Sequence, residues 1–333
     1  MAHPKSEAGY RVGIVNPMTL VGNEIKTILR ERAFPFAKVA LLDSSGESAG
    51  ALTDIGAEPA VVSPIAQEGL DDLDLVFFCG PSVANREWLA RHEEDRFIAV
   101  DLSQPSTAED GKLVIAGVNL DDVVAGEDVL VSPHPIAIPI ALILHQLKSL
   151  SAIESCTATV IQPASEFEQE GVEELAAQTV SVLSVATVPK KVFDRQLAFN
   201  LYPAADGHEE YVVSQVRGLT DPRLELAMLV TQGTIFHSHT FSLFIRTREP
   251  LEREQILGAL RGNPAIALPE GDQEFGTIDA AGKDEVLVAE VRPDPAIRNG
   301  FWVWAVCDNL RRSSALNAVL LAEKALFGAS MAN

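Results

Sequence analysis

Four short apolar runs punctuate the first third of the chain, and the segments between them decide the architecture. Tyr10 to Val15 (YRVGIV), Val39 to Leu42, Leu73 to Cys79 (LDLVFFC) and Phe97 to Asp101 each read as a buried strand. After the first, Val21 to Arg32 puts Ile25, Ile28 and Leu29 at helical spacing. After the third, Gly80-Pro81 opens a helix carrying Trp88 and Leu89. Val129 to Val131 adds a short strand before a Pro-rich turn. Strands alternating with helices predict a parallel sheet with right-handed crossovers. The first half is therefore expected to be a Rossmann-like parallel-sheet domain.

The second half has another texture. A strand is expected at Thr157 to Ile161 and an amphipathic helix at Val172 to Leu183. Alternating stretches follow at Leu226 to Gln232, Thr234 to Arg246, Glu285 to Val291 and Phe301 to Val306. They predict a mixed or antiparallel sheet, so the chain as a whole reads as α/β with a second, α+β domain. Asn309 to Leu326 is strongly helical and is expected to return to the first domain. The expected division is 1–132 with 309–333, and 133–308.

Charge narrows the partners. Lys and Arg number 26 against 47 Asp and Glu, a formal charge of −21, which repels phosphate backbones and excludes nucleic acid as an expected partner. Three cysteines, Cys79, Cys156 and Cys307, lie far apart without a CxxC, so no disulfide framework is expected. The N-terminal stretch lacks a secretory pattern, and no apolar run is long enough to span a bilayer. The expectation is a cytoplasmic protein without a membrane partner.

The first strand-to-helix turn is Asn16-Pro17-Met18-Thr19-Leu20-Val21-Gly22. A dinucleotide site wants glycines there, so that backbone N–H groups approach the pyrophosphate. Only Gly22 stands in this turn, and Pro17 removes a donor. Two readings follow, a weak phosphate turn at Thr19 to Gly22 or a structural turn opening a helix. Asp43, after the second strand, suits either a ribose hydroxyl or a turn.

Several segments together resemble the aspartate-semialdehyde dehydrogenase family over almost the whole chain. They are RVGIV with the following VGNEIKTILRERAFPFAKVALLDSSGESAG, then TVIQPAS, GVEELAAQT and QLAFNLYP, and finally WVWAVCDNLRRSSALNAVLLAE at Trp302 to Glu323. The last is similar to the family's DNLRxGxALNAVxxAE signature almost throughout. The resemblance implies an N-terminal nucleotide-binding domain and a C-terminal catalytic and dimerisation domain. It also implies reduction of aspartyl phosphate with NADPH through a cysteine thioacyl intermediate, and a homodimer.

Carried across residue by residue, the resemblance is uneven. The family's nucleophile turn resembles Ser132-Pro133-His134-Pro135-Ile136-Ala137, which puts Pro135 at the cysteine. Ser132 and Cys156 are weak substitutes: Ser132 has no obvious base, and Cys156, just before the next strand, is expected to pack as a small apolar residue. Gln162 and His239 match the catalytic glutamine and the acid/base histidine. Ser165 and Asn309 match cofactor contacts, although Asn309 also suits a helix N-cap. Where the family continues Ser-Gly-x-Gly against the nicotinamide, this chain has Ser165-Glu166-Phe167-Glu168.

The substrate arginine maps to Gln232, and the phosphate-binding segment to Asp101-Leu102-Ser103-Gln104-Pro105-Ser106-Thr107, which has no arginine. His237 and His239 would share one face of a regular strand, but no third ligand accompanies them and no metal is expected. The expected function is a family homologue without the family reaction, similar to its Usg-type members, keeping fold and dimer surface for binding a small molecule or for regulation. NADP is implied by the resemblance, with weak or absent binding expected. The alternative is an NADP-dependent oxidoreductase acting on an aldehyde or acyl phosphate, in amino-acid biosynthesis.

Overall fold

The run YRVGIV forms the strand Tyr10–Val15 (β1), nearly all of it buried because both faces of the sheet are covered. The computed structural model describes residues 9–328 except 56, 57, 107, 125, 126 and 206. The N-terminal stretch 1–8 lies outside the described residues. Two compact units divide the chain: Met1–His134 with Ser314–Asn333, and Pro135–Ser313.

In the first unit, β1 is followed by Phe36–Asp43 (β2), Leu52–Ile55 (β3), Glu58–Val61 (β4), Ser63–Pro64 (β5), Leu75–Phe78 (β6), Ile98–Asp101 (β7), Lys112–Leu113 (β8) and Val129–Val131 (β9). Seven of them make one parallel sheet in the order β5-β2-β1-β6-β7-β9-β8, while β3 and β4 pair separately as an antiparallel hairpin. Helices Leu20–Glu31 (α1), Ile65–Glu68 (α2), Ser82–Leu89 (α3) and His92–Asp95 (α4) intervene. On one face, Val12, Ile14, Leu75 and Phe77 pack with Ile25 and Leu29 of α1 and with Val319 and Ala322 near the chain's end. On the other, Val15, Leu42, Val76 and Phe78 pack with Ile65, Leu70 and Phe97.

The second unit begins with Ala137–Leu147 (α5), whose Pro139 sits in the first turn, where a missing N–H costs nothing. Strands Ile153–Gln162 (β10), Tyr202–Pro203 (β11), Glu225–Gln232 (β12), His239–Thr247 (β13), Ile266–Ala267 (β14), Val286–Pro293 (β15) and Gly300–Cys307 (β16) form a mixed sheet. Its order is β11-β12-β10-β13-β16-β15-β14, with β10–β12 and β14–β15 parallel and the rest antiparallel. Glu168–Leu183 (α6), Glu209–Leu219 (α7), Arg253–Arg261 (α8) and Thr277–Ala280 (α9) complete the unit; α5 packs on α7 and α8.

Along β10 the alternation is plain: Cys156, Ala158 and Val160 are buried, whereas Thr157 and Thr159 are exposed. The register carries that outer row across the sheet. Thr159 stands opposite Leu229 and Ser242, and Ser242 opposite Trp304; Thr157 stands opposite Phe244, and Phe244 opposite Trp302. One expectation needs correction. The stretch from Thr234 becomes a strand only at His239, because Ser238 has φ +75 and breaks the extended run. The tail is helical as expected, a π-helix over Arg311–Leu316 and then the α-helix Asn317–Phe327 (α10).

Candidate functional site

Strands β10 and β12 run parallel and end together, at Gln162 opposite Gln232. Both side chains are 1% exposed, so their amides must satisfy each other. Gln162 Nε2 donates to Gln232 Oε1 at 2.9 Å, and Gln232 Nε2 reaches the carbonyls of Gln162 and Gly233, each at 3.3 Å. Gly233 follows at once. A Cβ there would stand 2.3 Å from Ile161 Cγ2, so only glycine lets the chain turn so close.

Beyond Gln162 the backbone enters a 3-10 turn, Ala164–Phe167, held by Ala164 N to Ile235 O at 2.8 Å and Ser165 N to Phe236 O at 3.0 Å. This turn presents Ser165 and Glu166 to Asn309. Asn309 Nδ2 donates to Ser165 Oγ at 3.0 Å and to Glu166 Oε1 at 3.1 Å; its Oδ1 accepts from Ser238 N at 3.0 Å. His239 lies next, wholly buried at the head of β13, with Nε2 3.4 Å from Glu166 Oε1. That approach makes no hydrogen bond, and neither ring nitrogen has a hydrogen-bond partner. Burial pushes its pKa down to about 3, so the imidazole is neutral at pH 7.

The second unit therefore brings together Gln162, Ser165, Glu166, Gln232, His239 and Asn309. The cluster offers a neutral imidazole, three carboxamides, a hydroxyl and one carboxylate. Two expectations change here. His237 and His239 do not share a strand face, because the kink at Ser238 leaves His237 in the preceding turn. Asn309 is no helix cap: Asp308 takes that place, its Oδ1 accepting from Leu310 N and Arg311 N, each at 2.9 Å. Glu166, which departs from the family's Ser-Gly-x-Gly stretch, is a structural partner of Asn309.

Cys307 stands opposite His239 across β13 and β16, but no thiol is accessible. Cys79, Cys156 and Cys307 are free and buried. Burial pushes the Cys156 and Cys307 thiols up to about 12, so both stay protonated at neutral pH. Pro135 stands two residues before α5, at its start. In the first unit, Ser132 is buried and its Oγ accepts from Asn317 Nδ2 at 3.0 Å.

The first unit's strand-to-helix turn is built around side chains. Asn16, in the left-handed region at φ 56, donates from Nδ2 to the Cys79 carbonyl at 2.8 Å and to Ser44 Oγ at 3.0 Å. Asn85 Nδ2 reaches the same carbonyl at 2.7 Å, and Ser44 Oγ donates to Asn85 Oδ1 at 2.8 Å. This knot lies beyond the carboxyl ends of β1, β2 and β6, the crevice where open α/β sheets hold ligands. Sequence reasoning missed Asn85; its only signal was a carboxamide in a helix otherwise read by Trp88 and Leu89.

Thr19 caps α1, its Oγ1 accepting from Gly22 N at 3.0 Å and donating to Asn16 O at 2.9 Å. Leu20 and Val21 form the helix's first two positions. A Cβ on Gly22 would stand 2.8 Å from both Asn16 O and Pro17 Cα, so the glycine serves helix–turn packing. Asp43 accepts from Ser45 N, Ser45 Oγ and Ser48 N at 2.9–3.0 Å. Burial raises its pKa, but the bonds from Ser45, Ser48 and Gly46 outweigh that and hold it below the usual carboxylate range. Asp101 accepts from Ser103 and Ser106 within its own loop. Thr107 of that segment lies outside the described residues.

Among the described residues no group of three metal-ligating side chains occurs, and no helix is long and apolar enough to cross a membrane. Residues 11–126 match the family described as semialdehyde dehydrogenase, NAD binding domain, and residues 145–312 match semialdehyde dehydrogenase, dimerisation domain. A USG-1 protein homolog of Azotobacter vinelandii is 31% identical, with 94% of this chain and 96% of that protein covered. An aspartate-semialdehyde dehydrogenase of Aquifex aeolicus is 26% identical, with 95% and 97% covered. Among solved structures, a probable aspartate-semialdehyde dehydrogenase from Pseudomonas aeruginosa superimposes with a TM-score of 0.89 at 28% identity, over 95% of this chain and 98% of that one.

Proposed function

This chain belongs to the aspartate-semialdehyde dehydrogenase family, and from that premise we propose that it keeps the family's fold and pairing surface without its reaction. Pro135 carries the proposal. The resemblance puts a cysteine there, and proline has neither a nucleophile nor a backbone N–H to help an oxyanion. The chain's three cysteines offer no substitute, since all are buried. Gln232 adds support. It stands where the resemblance has an arginine for the substrate carboxylate, and a carboxamide bonded to Gln162 supplies no charged fork.

The residues present fit a dinucleotide poorly. Thr19 Oγ1 takes the Gly22 N–H, and the Asn16–Ser44–Asn85 knot fills the region beyond the strand ends. Asp43 spends its lone pairs on its own turn. Glu166 brings a carboxylate where the resemblance has a glycine beside the nicotinamide. Weak or absent NADP binding is the consequence; Gln162, Ser165 and Asn309 persist as parts of a bonded framework, and His239 as a buried neutral neighbour of Glu166. The partner is a second copy, through the outer sheet row that exposes Leu229 and Trp302. The role that remains is binding or regulation.

The rival reading, an NADP-dependent oxidoreductase on an aldehyde or acyl phosphate, draws on the NAD-binding description of residues 11–126. One assay separates the two. Phosphate-dependent oxidation of aspartate semialdehyde is followed by NADPH formation, with wild-type protein and Pro135→Cys side by side. A wild-type rate at background supports the proposal. Wild-type turnover that His239→Ala abolishes overturns it. Activity gained by Pro135→Cys says that only the nucleophile was lost.

A further inference from the structure

Helix α1 buries a lysine. Lys26 is 7% exposed and lies beside Ile25, Ile28 and Leu29, the other large side chains the helix buries. An ammonium taken from water without a counter-charge is costly. Lys26 Nζ donates to Thr53 Oγ1 of β3, and among the described residues it closes no ion pair. Arg30, one turn further along α1 and exposed, closes none either. Two cations thus stand four residues apart on one helix, within reach of each other.

Beside them lies a cavity of about 40 Å³, walled by Ile14, Leu29, Val39 and Ile55 with Lys26 and Arg30. Thr53 and Ile55 are the partly buried residues of β3, where burial alternates, so they share its inner face. The bond to Thr53 therefore holds the amine on the cavity's side of the hairpin. One water needs roughly 10–15 Å³ of such space and two or more polar partners. The cavity has room for about three atoms in a row, and its lining is apolar apart from the two cations. Such a space suits a small uncharged guest better than water. Burial lowers the pKa of Lys26, and Asp54, exposed on the outer face of the hairpin, offsets this only in part. More of this amine is unprotonated than on an ordinary lysine, and an unprotonated amine is a nucleophile.

We propose that Lys26 is a carbon dioxide site, at which the amine and the gas form a carbamate that Arg30 neutralises. The Nζ lone pair attacks the carbon and a C–N bond forms. One C=O π pair moves onto oxygen, and an N–H proton passes to water. Nothing is oxidised or reduced. The carbamate spreads one negative charge over two oxygens, which match the fork of the Arg30 guanidinium, and the Thr53 hydroxyl donates to one of them. A buried cation without a partner becomes an anion with one. The site lies in the first unit and owes nothing to the reading of Pro135, so the two fail separately.

The test equilibrates the full-length protein with carbon-13 bicarbonate and carbon dioxide, fixes carbamates by O-ethylation and maps the modified peptides by mass. A carbamate at Lys26 is expected, rising saturably with dissolved gas and at least about tenfold more occupied than at the exposed Lys38 and Lys190. Lys26→Met removes it. Arg30→Gln, a surface change, lowers occupancy below saturation by about tenfold, the loss of one charge-assisted contact. Val39→Phe, which fills the cavity and keeps both cations, lowers it likewise. No carbamate at Lys26 overturns the proposal. So does occupancy no higher than at Lys38 and Lys190, or occupancy that Arg30→Gln or Val39→Phe leaves unchanged.

Discussion

Gln162 and Gln232 stand opposite each other at the ends of two parallel strands and share a 2.9 Å hydrogen bond with almost no access to water. Removing the Gln232 side chain takes away the acceptor of the Gln162 Nε2 bond. Gln232→Leu is expected to destabilise the protein by about 1–3 kcal/mol, the cost of a buried amide deprived of its acceptor. Replacing both with leucine should cost less than the sum of the two single changes. A double-mutant cycle by urea denaturation reads that coupling directly.

The buried histidine predicts a pH dependence. His239 ionises at about 3 when folded, against 6.5 for a free imidazole. Below pH 6.5 the unfolded chain takes up a proton that the folded chain refuses. Stability therefore falls as pH drops from 6.5 towards 3, and the loss reaches about 2 kcal/mol at pH 5. His239→Phe should flatten this part of the profile. An equal loss in wild type and variant between pH 7 and 5 would show that the imidazole is not held neutral.

Cysteine chemistry offers a second check on the proposed function. Cys156 and Cys307 are buried and their thiols lie near 12, and Cys79 is buried in the first unit's core. Folded protein at pH 8 should show no fast reaction with Ellman's reagent. All three thiols should react once urea unfolds the chain. A rapid single equivalent in the folded state would contradict this and identify a reactive thiol.

Glu174 organises the loop that follows α6. Its carboxylate accepts from Lys191 N and Val192 N at 2.7 Å and Phe193 N at 3.1 Å, while Gln178, one turn on, accepts from Leu197 N and Ala198 N. Glu174→Ala should cost about 2–4 kcal/mol, because several buried N–H groups lose a charged acceptor together. Limited proteolysis should then cut between residues 184 and 200, where the wild type resists.

In the first unit, Glu323 is fully buried and accepts from Arg32 Nε at 2.6 Å and Nη2 at 2.8 Å. Breaking one side of such a pair leaves an uncompensated charge. Glu323→Ala should lower stability by about 3–5 kcal/mol, visible as a shifted denaturation midpoint. Glu323→Gln, which keeps the volume, should fall between the two.

Much of the fold was legible because burial leaves a periodic trace. YRVGIV gives β1 with the expected bounds, and the helix expected at Val21 to Arg32 is displaced by one residue, to Leu20–Glu31. Where the chain departs from periodicity, a single backbone angle or side-chain bond is responsible. Ser238 ends an otherwise convincing alternation by adopting φ +75. The stretch RRSSAL, helical by composition, winds as a π-helix, with Asp308 accepting from Leu310 N and Arg311 N ahead of it. The hairpin β3–β4 and the helix α8 carry too few apolar residues to stand out.

The site was legible in part. Gln162, Ser165, His239 and Asn309 were named from sequence, and the structure brings these four together in one unit. Their distant partners were not visible. Asn85 joins Asn16 and Ser44 across 69 and 41 positions, and a hydrogen bond between distant carboxamides leaves no local pattern. The bond between Gln162 and Gln232 spans 70 positions and is of the same kind.

The contribution of Val319 and Ala322 to the first unit's core has a consequence for synthesis. The sheet's last strand ends at Val131, but the helix that covers one of its faces ends at Phe327. At ribosomal speeds of about 5–20 residues per second, roughly 10–40 s separate the two. For that interval the face of the emerging sheet that α1 and α10 share is only partly covered, while the whole of the second unit is being made. The N-terminal unit, first to be translated, is the last that can finish folding. A nascent chain stalled anywhere before Asn317 is thus left holding an open core for chaperones to shield.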